Sequence, residues 1–299
     1  MSLLIKAVAD FLGLTDTPAA YAAQAGKLPK VNVGENALEF AVAAAGGLAI
    51  FGDGSDGDII IDINTDLSRD MFYNTLTVNN GITLSTKGFR IFVKETLTNN
   101  GTIERNGNDG SGETGGAALG AGSLGGSVAG GNGYIDGAGD SGSLSNPGAG
   151  GVGGGGGDSS YSAGSGGGVT LFAIGGLPTA IGLKATTLVL GGAGGGAGGG
   201  DAGNAGGGGG GGGGIIYIAA NTLTNTSGTI QANGGAGAAG TGGNAGGAGG
   251  GGGGSLVLVY NTLNAGTEQA NGGALGAGSG TGDHGIAGSA GLVYKIANI

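Results

Sequence analysis

The chain has no cysteine and no tryptophan, a single histidine and only four prolines in 299 residues. Without cysteine there is no disulfide framework and no thiolate chemistry. Any hydrolytic triad would have to be built around one imidazole, His284. Charged residues make up 10% of the chain, too few for a disordered segment held open by its own charge. Ten Lys and Arg stand against twenty Asp and Glu, a formal net charge of −10. That sign argues against nucleic acid and anionic membranes as partners, since both select basic patches. No apolar run approaches the roughly 20 residues of a membrane-spanning helix. The apolar start, Met1 to Ala25, is broken by Asp10 and Asp16 and does not read as a secretory signal.

What is abundant is glycine, 84 of 299 residues. A side-chain core is therefore impossible over about half the length, and order there has to come from backbone hydrogen bonding against glycine's large entropy cost. Glycine also keeps a beat. It falls at every third position from Gly234 through Gly237, Gly240, Gly243, Gly246 and Gly249 to Gly252. The beat returns at Gly273, Gly276, Gly282, Gly285, Gly288 and Gly291, missing only at Ser279. Three residues per turn is the period of an extended polyproline-II-type helix, whose backbone groups all point outward unpaired. An edge without Cβ lets another backbone take those bonds. Collagen meets the same need with three proline-rich chains, which this composition excludes. The beat instead predicts polyglycine-II helices bonded side by side. A flexible Gly/Ser linker, the other reading of such composition, needs no phase.

Between the tracts lie short β-branched and aromatic runs. Ile59 to Ile63, Met71 to Val78, Ile82 to Leu84 and Phe89 to Val93 read as strands separated by Asn-Asn-Gly and Lys-Gly turns. A repeat follows: the segment from Ile215 to Gly235 matches the one from Ser255 to Gly273, offset by 40 residues. Leu97 to Gly107 carries the same signature, Val169 to Ile174 begins a degenerate copy, and Leu292 to Ile296 is a last truncated strand. Strand–turn–strand units of this kind suit the rungs of a β-solenoid, each burying its face on the next. The repeat predicts Ile216 beside Leu256 and Ile218 beside Leu258 in adjacent parallel strands. The glycine tracts would then leave one side of the stack; twenty residues at about 3.1 Å each would run about 60 Å, or half that out and back.

Catalytic constellations are not legible. Asp283 precedes His284, but no Gly-x-Ser-x-Gly elbow is near. The acids near residues 53–70 form no evident pair across a cleft of the kind glycosidases use. Asp53, Asp56 and Asp58 imitate a calcium loop but lack the closing glutamate of an EF-hand, and Gly130 to Asp136 misplaces the aspartate of the calcium nonapeptide. No glycine tract ends in the Lys-Ser/Thr of a phosphate loop. Neither a metal nor another cofactor is implied. Bulk appears where the beat stops: Tyr134 and Asp136, Leu144 with Asn146 and Pro147, Asp158 and Tyr161, Leu177 with Pro178, Asp201 and Asn204, and Asp283 with His284. Such residues suit turns between helices, and turn tips on a rigid scaffold are where recognition residues live.

The segment Phe11 to Phe40 resembles a unit of phage tail-fibre and other virion appendage proteins. The resemblance is carried by Leu14-Thr15-Asp16-Thr17-Pro18, Tyr21, Gln24, Gly26-Lys27, Val31-Asn32, Glu35 and Leu38-Glu39-Phe40. Phe51 to Ile61 and Leu67 to Ile103 are similar to blocks of the same Gly-rich phage proteins, where they precede glycine tracts. The resemblance implies a virion protein assembled in the host cytoplasm, attached to other virion proteins through Leu14, Asp16, Pro18, Tyr21, Gly26 and Phe40. It implies a homotrimer, as in fibre proteins of this look. The Gly-rich receptor-binding adhesins of T-even-like phages are similar in principle, presenting loops at the end of a polyglycine-II sandwich.

The sequence therefore leads to an all-β expectation in three parts. Residues 1–50 are a short mixed attachment segment, 51–107 a β-structured neck, and 108–299 a head of β-solenoid-like rungs with an inserted polyglycine-II bundle. The expected function is non-enzymatic: a tail-fibre or tail-tip adhesin binding a host surface glycan or outer-membrane protein. Its candidate contacts are Tyr134, Asp136, Asp158, Tyr161, Asp201, Asn204, Asp283 and His284. The alternative is a capsid or neck decoration protein with no receptor role. A polysaccharide-cleaving tailspike and a bacterial surface or ice-binding protein are the remaining rivals.

Overall fold

The computed structural model describes residues 27–31, 38–42, 50–143, 162–167 and 191–298. The chain divides into two compact units, Met1–Ile50 and Phe51–Ile299. In the first, β1 (Lys27–Val31) and β2 (Leu38–Val42) pair antiparallel, with Pro29 opposite Phe40. Leu14, Asp16, Pro18, Tyr21 and Gly26 lie outside the described residues.

The described residues of the second unit are strand, turn and extended chain, with no helix among them. Its strands alternate between two parallel sheets. In chain order they are β3 (Asp58–Ile61), β4 (Thr65–Asp66), β5 (Met71–Tyr73), β6 (Thr75–Val78), β7 (Thr83–Ser85), β8 (Ile91–Asn99), β9 (Thr102–Glu104), β10 (Ile215–Thr224), β11 (Thr229–Gln231), β12 (Ser255–Asn264), β13 (Thr267–Gln269) and β14 (Leu292–Ala297). One sheet runs β3-β6-β8-β10-β12-β14, with β5 also on β8; the other runs β4-β7-β9-β11-β13. Strand pairs thus follow one another along the same two sheets from residue 58 to residue 297. The repeat offset of 40 residues sets the register: Ile216 pairs with Leu256 and Ile218 with Leu258, both parallel, as the sequence predicts.

Because like positions stack on like, side chains form columns through the core. Ile59, Leu76, Leu97, Leu223 and Leu263 succeed one another in paired register. Met71, Ile91, Ile218 and Leu258 form a second column, and Leu84, Ile103 and Ile230 a third in the other sheet. From Leu76 to Leu223 and from Ile91 to Leu258 these positions are fully buried, as is the whole of the third column. Polar residues stack the same way. Gln269 donates to Gln231 and Gln231 to Glu104, while Asn106 accepts from the Asn233 N–H and Asn233 from that of Asn271. Buried Asn99 donates to Asn225 at 2.7 Å. A column of amides satisfies its own donors only if each layer repeats the last, which fixes register as firmly as the apolar columns.

On the outer face Phe72 stacks on Phe92 with centroids 4.9 Å apart, and the Arg90 guanidinium lies 5.6 Å from the Phe92 ring centre. Arg90 is ion-paired with Asp70 at 2.5 Å, both largely buried. Burial alone would raise the Asp70 carboxyl, but hydrogen bonds from the Arg90 side chain and N–H and from Ser123 outweigh it and hold it below its ordinary value. A depressed carboxyl stabilises only while ionised. Asp70→Asn should therefore cost about 2 kcal/mol at neutral pH. The gap to wild type should close as pH falls below the ordinary value of 3.8 through the lower folded one. Thermal melts of both proteins from neutral pH down to about pH 2 check this; a gap that stays constant with pH would contradict the ion-pair assignment.

The described residues between β9 and β10, β11 and β12, and β13 and β14 are largely glycine-rich extended segments. Residues 206–214 are all glycine and all buried. Their N–H groups turn through three neighbours in strict rotation, at 2.7–3.4 Å. Gly207, Gly210 and Gly213 donate to Gly246, Gly249 and Gly252; Gly208, Gly211 and Gly214 to Gly112, Asn108 and Arg105; Gly206, Gly209 and Gly212 to Tyr134, Gly131 and Val128. Carbonyls at Gly207, Gly210 and Gly213 accept from Gly198, Gly195 and Gly192. Segment 246–254 repeats the rotation against 193–199, 283–289 and 232–238. A Cβ has no room there: built on Gly210 it would sit 2.0 Å from the Gly235 oxygen, and on Gly209 2.1 Å from that of Gly195. The outermost hairpin shows why a beat is visible at all. Gly273 and Gly276 are buried and donate inward to Gly251 and Ala248, while Ala274, Leu275 and Ala277 between them face solvent.

Candidate functional site

Each pair of glycine segments leaves the strands, turns and returns, so the turns collect at the end of the lattice away from the strands. Five are described: 111–114, 134–137, 201–204, 241–244 and 278–284. Ser111 bridges Thr114, Asp201 bridges Asn204, and Ala205 bridges both Ile135 and Thr241. Side-chain acceptors then stitch one turn to the next. Asn132 accepts from the Gly115 N–H, Asp136 from that of Gly203 at 2.6 Å, Asp201 from that of Asn244 at 2.9 Å, and Asn244 from that of Thr281 at 3.0 Å. Asp136 adopts φ 50 and Ala202 φ 34, left-handed values that an aspartate tolerates better than an alanine does. The turns are thereby held as one surface rather than as separate loops.

The residues singled out in the sequence fall into distinct roles. Asp136, Asp201 and Asn204 come together, but Asp201 is only 4% exposed and fixes the neighbouring turn. Tyr134 stands 45% exposed, its hydroxyl donating to Asp140 at 2.8 Å, a bond that raises the phenol above its ordinary pKa. His284 is exposed and its Nδ1 accepts from the Gly278 N–H, which closes the last turn and leaves the neutral ring's hydrogen on Nε2. Asp283 is exposed beside it. Asp158, Tyr161, Leu144, Asn146, Pro147, Leu177, Pro178 and the strand copy at Val169 lie outside the described residues.

A feature the sequence reading missed is a shallow depression of about 470 Å³ among these turns, lined by Ser111, Glu113, Thr114, Ile135, Asn204 and Thr241. Ile135, 57% exposed, is its apolar element. The signal was present: Ser111, Glu113 and Thr114 interrupt glycine as Tyr134 does. Between Arg105 and Lys295 the only Lys or Arg is Lys184, outside the described residues, so the described turns carry carboxylates and no cation. With its hydroxyls, one amide and one carboxylate around an isoleucine, the depression suits a ligand that donates hydrogen bonds and lays an apolar flank on Ile135.

The aspartates near the first strand are occupied otherwise. Asp53 accepts from the Ser55 N–H, Asp56 from Arg69 and the Phe72 N–H, and Asp58 from Asn74 and Thr75. These bonds lower all three carboxyls, and no group of acids or histidine arranged to hold a metal occurs among the described residues.

Comparisons with protein-family models, curated proteins and solved structures give no match.

Proposed function

We propose that the chain is a structural protein of a phage virion, a tail-fibre or tail-tip adhesin that meets the host surface with the turns at the end of its glycine lattice. In this reading the paired parallel sheets are the rungs of a β-solenoid, and the glycine segments are polyglycine-II helices growing out of it. The N-terminal unit docks on the particle, and three copies make the fibre. One observation carries the proposal: a backbone-bonded scaffold with almost no side chains ends in stitched turns that gather exposed bulk, Tyr134 and Ile135 foremost. Rigid turns bind with little ordering cost, and tyrosine joins apolar area to a polar handle suited to sugars and protein loops alike.

Phage carrying Tyr134→Ala, Ile135→Ala and His284→Ala together should assemble normally and adsorb to host cells at least about tenfold more slowly, the effect of losing a small contact centre. Adsorption at the wild-type rate would sink the contact assignment. The engagement of Asp136 and Asp201 in holding turns favours a second reading, a capsid or neck decoration protein whose turns bind nothing. Electron cryo-microscopy of particles carrying a label on the chain separates the two by its position on tail tip or capsid.

A further inference from the structure

The apolar columns of the core end in charge. In the first sheet the column Met71, Ile91, Ile218, Leu258 continues in register to Lys295. In the second, Leu84, Ile103 and Ile230 continue to Glu268. Among the described residues β14 and β13 are the last strands of their sheets, so each charge ends its own column, Glu268 in the layer of β12 and Lys295 one layer beyond it. The two side chains meet across the end of the core, Lys295 Nζ to Glu268 Oε2 at 2.7 Å, with Glu268 only 1% exposed and Lys295 38%. Glu268 also accepts from Asn225 at 2.7 Å and from the Gly266 N–H at 2.8 Å, so the buried amide column from Asn99 through Asn225 ends on the same carboxylate. An acid and a base thus stand where the layers from Leu84 to Ile230 and from Met71 to Leu258 carry apolar side chains; only Thr65, at the far end of the second column, is polar.

The surroundings of that end would otherwise favour growth. Among the described residues β14 has no strand on its outer edge, and its Leu292, Val293 and Ile296 are exposed. Among the described residues β3 and β4, at the opposite end of the same two sheets, also have no strand on their outer edges, with Ile60 and Ile63 exposed at 66% and 71%. Every pair in these sheets is parallel. The β3 end of a second copy therefore matches the β14 end of the first in direction and hydrogen-bond edge, with Ile59 arriving over Leu263. Such a contact is head-to-tail and does not close, so it would extend without limit. An inward-pointing charge on an edge strand blocks this kind of addition, because the incoming layer would strip water from the pair and offer it no further partner.

We infer that Glu268 and Lys295 form a built stop that ends the stack and keeps a second copy of this chain from adding its first strands there. The inference rests on register and burial alone and stands whether or not the chain is an adhesin. The test restores the columns with the double variant E268I/K295L, the residues of the preceding layers. Sedimentation velocity over a wide concentration range should give wild type one unchanging species. The double variant should form species at least twice that mass whose share grows with concentration, visible as end-to-end rods by electron microscopy. If the double variant yields no soluble protein, E268Q/K295M, which removes both charges and keeps an acceptor for Asn225 and the Gly266 N–H, should grow in the same way. A soluble variant that keeps the wild-type mass at every concentration overturns the inference, as does wild type that grows equally.

Discussion

Gly210→Val is expected to give no folded protein, whereas Ala287→Val is expected to fold as wild type does. The first position lies at the centre of the lattice, donating to Gly249 at 3.0 Å and accepting from Gly195 at 2.8 Å. The first atom of a side chain there would meet the Gly235 oxygen at 2.0 Å. That neighbour is backbone, bonded in turn to its own neighbours, so no rotamer change relieves the clash. The cost should exceed about 4 kcal/mol, the range reserved for changes a structure has no way to absorb. Ala287 sits on the outermost segment and is exposed; a surface change there should stay within about 0.5 kcal/mol. Soluble yield and thermal melting of the two variants read the contrast, and equal tolerance would mean the segments are not packed backbone to backbone.

The second large effect is expected in the columns. Leu223 is fully buried between Leu97 and Leu263. Leu223→Ala should lower stability by about 2–5 kcal/mol, since layers tied by amide columns on both sides have little freedom to collapse into the cavity. Leu292→Ala, on the free edge and 43% exposed, should cost less than about 0.5 kcal/mol. Denaturant melts of both variants give the comparison; similar losses would show that the columns do not carry the core.

Why some of this was legible in the residues and some was not follows from where side chains remain. The register of Ile216 on Leu256 was readable because each repeat carries a full strand of apolar residues, and a slip would turn them outward. The glycine beat marks a packed edge most clearly on the outermost hairpin, where Ala274, Leu275 and Ala277 face solvent between buried Gly273 and Gly276; along buried 246–252 it runs through a nearly all-glycine stretch bonded to three neighbours. Segment 206–214 has neighbours on all sides and is glycine throughout, so it has no phase to read. For the same reason nothing in the sequence tells which segment lies beside which: Gly107 bonds to Asn233 and Gly209 to Gly131 across long stretches of chain, and glycine offers no complementary shape to announce it. Gly243 keeps the beat for another reason, lying in an exposed turn at φ 48 against the Asn204 side chain. At the turns, residue types marked the place but not the roles. Asp201 and Asp136 looked like contacts and serve as acceptors for neighbouring turns, because an extended segment that ends leaves N–H groups to satisfy.

Hydrogen–deuterium exchange tests the central claim, that the glycine tracts are an ordered lattice holding the turns in place. Peptides covering 206–214 and 246–254 should exchange as slowly as β10 and β12, since every N–H in both segments is bonded to another segment and opens only with the whole unit. The exposed stretch 286–290 should exchange faster except at Gly288, which bonds to Gly273. Exchange of 206–214 at the rate of an unstructured chain would contradict the lattice and return these tracts to flexible linkers.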